Sequence, residues 1–185
     1  MKITVYLGAN KGNDRRLEEE ARRLGSWIGR NGHDLVYGGS LNGLMGDLAK
    51  AVKESGGKVT GAEPQFFIDA GFLYEEIDEL IVTDDMSQRK NKMIELGDAF
   101  IAFPGGTGTL EEISEVMAKV SLRHLHAPCI LYDLNGYYEG LRMQLRKMIE
   151  AGLSSEERLR GIFFVRDLEE IGEILTRHSK QGQIY

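Results

Sequence analysis

The sequence has one cysteine, few histidines, no long apolar run and no surplus of positive charge, and each shortage removes a class of protein. Cys129 has no partner in the chain for a disulfide, which suits a reducing cytoplasm. It lies in the apolar run 128–132, where a buried strand thiol is the expected reading and a nucleophile the minor one. No segment approaches the ~18 apolar residues of a membrane span, and the N-terminus enters a strand instead of a basic stretch followed by an apolar one. A soluble cytoplasmic protein without a membrane partner is therefore expected. With 23 basic and 29 acidic residues the net charge is −6, which argues against a nucleic-acid surface but permits a local basic pocket for a phosphorylated small molecule. His124 and His126 have no carboxylate–histidine cluster at ligand spacing nearby, so they read as loop or interface residues and no metal is expected. Thr83, Asp84 and Asp85 read as helix capping.

What is present is an alternation of two hydrophobic periods. Strands are expected at 2–7, 33–37, 58–62, 78–82, 98–103, 128–132 and 162–165, and helices at 14–30, 44–54, 84–96, 136–151 and 168–178, with an acidic helix after residue 107. Such alternation gives the α/β class: a single doubly wound parallel sheet of about seven strands with helices on both faces, joined by right-handed crossovers. The 185 residues suffice for one domain, 1–185, and no linker divides them. Glu63-Pro64 is expected to close the third strand, because the residue before proline is pushed out of helical geometry. The segment 65–76 has no clean period yet is rich in aromatics, so a lid, a partner-contacting segment and core packing all remain open. The tail after Ser179 is expected to fray.

The chain is organised around Phe100-Ile-Ala-Phe-Pro-Gly-Gly-Thr-Gly-Thr-Leu-Glu-Glu112, a buried strand that runs through a glycine-rich turn into an acidic helix. Gly105, Gly106 and Gly108 allow positive φ and leave backbone amides uncovered, and Thr107 or Thr109 can cap the helix. Free amides and the positive end of a helix dipole together form an anion site. A turn needed only for close packing is the alternative. Glycine turns also follow the first and second strands, so Gly8 and Gly39 are expected at the same ligand edge. The first turn lacks the G-x-G-x-x-G dinucleotide fingerprint, which disfavours NAD and favours a mononucleotide.

The pattern P-G-G-x-G-T-x-x-E, here Pro104, Gly105, Gly106, Gly108, Thr109 and Glu112, follows M-x-x-R-K, here Met86, Arg89 and Lys90. It resembles the LONELY GUY family of nucleoside 5′-monophosphate phosphoribohydrolases. The resemblance extends to Leu35-Val-Tyr-Gly-Gly39, Gly43-Leu-Met-Gly46 and Asn135-Gly-Tyr-Tyr138. It implies a modified Rossmann fold and hydrolysis of AMP, or of an N6-modified AMP such as a cytokinin riboside monophosphate, to free base and ribose 5-phosphate. It further implies a homodimer, no cofactor, and Arg89 and Glu112 as the catalytic pair. Cleavage of a ribose–base bond develops positive charge on the sugar, and a carboxylate such as Glu112 can stabilise it or orient the attacking water. Arg89 stays protonated and can hold phosphate or hydrogen-bond the leaving group. Met86 and Lys90 belong to the substrate site by the same resemblance, with a surface ion pair the alternative for Lys90. Glu111 and Glu115 are placed at the substrate site as well; complementing the helix dipole is the favoured alternative for Glu111, and Glu115 reads equally as a supporting or a solvated residue.

Departures from the family pattern stand at Ala9 and Asn10 in the first turn, and at Gly71 and Ala118, where an acid and a threonine are expected. They bear on base preference. Related proteins have been labelled lysine decarboxylases, but no lysine here is identifiable as a pyridoxal phosphate Schiff base. A nucleotide or cofactor carrier using the same pocket is the alternative function.

Overall fold

The computed structural model describes residues 1–181, which form two compact units, Met1–Asp98 and the chain from Ala99 onward. In the first, Lys2–Tyr6 (β1), Asp34–Tyr37 (β2), Val59–Pro64 (β3) and Glu79–Thr83 (β4) lie in the order β4-β3-β2-β1. All pairs are parallel, with Ile3 opposite Leu35, Leu35 opposite Val59 and Gly61 opposite Leu80. Apolar runs such as Leu35-Val-Tyr37 are buried because helices cover a parallel sheet. Parallel neighbours also place every strand end, and the turn that follows it, at one edge.

Arg15–Arg30 (α1) starts at Asp14, whose Oδ1 accepts the Arg16 backbone N–H at 3.0 Å. Its buried face, Ala21, Leu24 and Ile28, packs on Gly43–Glu54 (α2). A Cβ at Gly25 would stand 2.5 Å from the Leu48 carbonyl oxygen, so the helices cross too closely for a side chain there. Gln65–Asp69 (α3) and Met86–Leu96 (α4) complete this unit.

The second unit carries Ala99–Ala102 (β5), Cys129–Tyr132 (β6) and Ile162–Val165 (β7), again parallel, with Ile101 opposite Ile130 and Leu131 opposite Phe164. Its helices are Thr107–Ser121 (α5), Glu139–Glu150 (α6) and Leu168–Gln181 (α7). Cys129 is buried in β6, and burial raises its thiol pKa, so it is a core residue without nucleophilic character. Among the described residues no helix is long and apolar enough to cross a membrane.

Several sequence boundaries move. β3 does not close at Glu63-Pro64 but runs through both, because Pro64 can occupy the last strand position opposite Thr83. The segment after it forms α3 and then an antiparallel bridge of Leu73 to Ser40. Leu41 and Tyr74 N–H donate to the Phe72 and Gly39 carbonyls at 2.8 and 3.0 Å, anchoring the aromatic stretch on the turn after β2. α4 begins at Met86, with Asp85 as its cap accepting the Gln88 N–H at 2.8 Å. A 3₁₀ turn at Leu134–Gly136 delays α6 to Glu139. α7 continues to Gln181, and residues 182–185 of the expected frayed tail lie outside the described residues.

Candidate active site

β5 is followed by Pro104, Gly105 and Gly106, and α5 then starts at Thr107. The cap is Gly106, with φ −89° and ψ −159° and no side-chain hydrogen bond. This corrects one expectation, since neither Thr107 nor Thr109 caps the helix; the freedom for positive φ is not used at Gly105, Gly106 or Gly108. The glycines matter through what they omit. A Cβ at Gly106 or Gly108 would meet nothing within 4 Å, so the amides at the positive end of α5 face open space that an anion can enter.

α5 sorts its acids by helical phase. Glu112 is 7% exposed, Thr109 is buried beside it, and Glu111 points outward. Glu115 is half-buried and lies 3.5 Å from Lys119. The corner is also buttressed from behind, which the sequence reading did not foresee. Tyr138 Oη donates to the Phe103 carbonyl at 2.8 Å, and Tyr137 Oη donates to the Gly105 carbonyl. Tyr138 is held in turn by buried Asp133, which accepts its backbone N–H at 2.7 Å and pairs with Arg142 at 2.9 Å. The signal available was the Asn135-Gly-Tyr-Tyr138 motif.

In the first unit, the start of α4 brings together Met86, Arg89 and half-buried Lys90. Arg89 is 9% exposed, its Nε donates to the Ala62 carbonyl at 3.1 Å, and Nη1 lies 3.7 Å from Met86 Sδ. The guanidinium lies on bare backbone: a Cβ at Gly38 would overlap Nη2 and come within 3.0 Å of Cζ. Gly39, at φ +86°, makes the same allowance for a second charge, since its Cβ would stand 2.5 Å from Glu63 Oε2. Glu63 is 2% exposed, and burial pushes its carboxyl up to about 7, against the opposing pull of Arg89. Sequence reasoning names Gly38 only within Leu35-Val-Tyr-Gly-Gly39 and Glu63 only at a strand end, and neither as a site residue. Gly8 stands half-buried two residues after β1.

His124 and His126 are exposed beyond α5, and among the described residues no three side chains of metal-binding type are grouped to hold an ion.

A family model described as "Possible lysine decarboxylase" matches residues 45–175. The chain is 39% identical over 168 residues to a cytokinin riboside 5′-monophosphate phosphoribohydrolase of Rhodococcoides fascians, covering 90% of this chain and 85% of that protein. It is 37% identical over 180 residues to the enzyme of the same name from Arabidopsis thaliana, covering 97% and 83% respectively. Among solved structures, the molybdenum cofactor binding protein of Rippkaea orientalis superposes with a TM-score of 0.69 over 95% of both chains. At 22% identity that likeness concerns the fold alone.

Proposed function

Because the chain belongs to the LONELY GUY family of phosphoribohydrolases, we propose that it hydrolyses the N-glycosidic bond of a purine nucleoside 5′-monophosphate, AMP or an N6-modified AMP, to free base and ribose 5-phosphate. The observation that carries the reading is the corner at α5, where a helix start opened by Gly106 and Gly108 is followed by a buried carboxylate, Glu112. The amides of 106–109 are proposed to bind the phosphate, and Arg89 is proposed as a substrate-binding cation. Glu112 meets the positive charge that develops on the ribose as the bond from C1′ to the base nitrogen breaks. Water supplies oxygen to C1′, and one of its protons leaves with the base. Chromatography of the protein incubated with AMP should show free adenine and ribose 5-phosphate in equal amounts. Conversion of AMP to adenosine and phosphate would assign the site to a different reaction.

The enzyme is further proposed to work in the cytoplasm as a homodimer. Support comes from apolar side chains left at the surface, Leu122 at 57% exposure and Phe66 and Phe72 on the aromatic segment. Light scattering at low micromolar concentration is expected to give twice the chain mass, and a monomer mass would reject the dimer.

A further inference from the structure

Glu63 is an acid where the fold alone would favour an apolar side chain. It occupies the penultimate position of β3, and among the described residues no group donates a hydrogen bond to its solvent-shielded Oε2. Burying such a group reduces stability, and neutral or apolar replacements of unsatisfied buried charges are often stabilising. Two glycines in succession make room for this acid and for Arg89: Gly38 under the guanidinium, Gly39 under the carboxyl. Arg89 is tied to the same strand end, through the carbonyl of Ala62, the residue before Glu63. The two side chains thus form one arrangement across the turn after β2.

We propose that Glu63 is a positioning residue that acts through Arg89: held beside it by the Gly38-Gly39 turn, it sets by its own protonation the net positive field that the guanidinium presents to the substrate phosphate. This deepens the phosphoribohydrolase reading and rests on it. Protonated Glu63 leaves the field of Arg89 undiminished, whereas ionised Glu63 opposes it. The switch falls in the neutral range because burial raises the carboxyl to about 7. The groups that act on it are few. α4 contributes Arg89, and β2 contributes the Tyr37 phenol, itself raised by burial, by Glu63 and by Tyr74, and so neutral throughout. Among the described residues no charged group from β4, α2 or α3 acts on it.

The test measures binding of ribose 5-phosphate, so that it does not depend on turnover, to wild type and Glu63→Gln across pH 5.5 to 8.5. Taking the ratio of the two dissociation constants at each pH removes the phosphate's own ionisation. The glutamine is a neutral mimic of the protonated acid. Wild type should match it at the acid end and bind about tenfold more weakly at the alkaline end, the size of the interaction of unit charges roughly 10 Å apart at an effective dielectric near ~20. A ratio of one at every pH, or an equal loss at every pH as a merely structural role would give, overturns the proposal. Stability supplies a second readout. A carboxyl raised from 4.5 to about 7 keeps its proton in the folded chain after the unfolded chain has lost it, so wild-type stability falls as pH rises through that window. Glu63→Gln should therefore raise Tm at pH 8 and leave it unchanged at pH 4, and an equal shift at both pH values contradicts the assigned titration. Should the variant fail to fold, wild type alone decides: calorimetry at pH 8 in two buffers of different ionisation enthalpy should show proton uptake as ribose 5-phosphate binds, and release or no exchange overturns the proposal. Absence of adenine from AMP would instead defeat the reaction while leaving these binding results to stand.

Discussion

Glu112→Gln is expected to lower kcat by roughly 10²–10⁴ while leaving KM for AMP within a few-fold, the range for loss of a positioned catalytic carboxylate. The substitution keeps shape and removes charge. On the proposed reading, ground-state affinity rests on phosphate contacts and Glu112 acts where positive charge appears on the sugar, so the loss belongs to the transition state. Burial makes this contrast sharp, because a carboxylate at 7% exposure acts through a lower effective dielectric than one in water. Glu111→Gln is the internal control: it sits one position earlier on the same helix but faces outward, and its turnover should stay near wild type. Wild-type kcat in Glu112→Gln would remove that residue from the mechanism.

Adenosine, which lacks only the phosphate, should show kcat/KM lower than AMP by roughly 10²–10⁴, from the loss of two or more charge-assisted hydrogen bonds worth about 1.5–3 kcal/mol each. The open space at Gly106 and Gly108 suits an anion that adenosine does not carry. Arg89→Lys, which keeps charge but loses the planar fork, should reproduce part of this loss for AMP and almost none for adenosine. Equal kcat/KM for the two substrates would take phosphate out of the account.

The α/β class and all seven strands were legible because each strand is a short apolar run bounded by turn residues, and β7 falls at 162–165 in sequence and structure alike. What escaped the sequence was decided by packing. A charged residue before proline reads as the end of a strand, yet β3 carries Glu63 into the interior because Gly38 and Gly39 leave volume for it and for Arg89. That volume is made by residues distant in sequence. At the α5 corner the uncovered amides are legible from the glycines themselves, whereas whether the space at Gly106 and Gly108 is open, and whether positive φ is used, depends on surroundings no local pattern describes. Likewise Tyr137 and Tyr138 reach back to carbonyls at Gly105 and Phe103 only because Asp133 and a 3₁₀ turn aim them.

In the proposed reaction water cleaves the bond between ribose and base. Incubating the wild type with AMP in water enriched in heavy oxygen, then weighing both products by mass spectrometry, tests it directly. One heavy oxygen is expected in ribose 5-phosphate and none in the released adenine. Tight binding of AMP with no adenine released over hours would contradict it and leave a nucleotide carrier in its place.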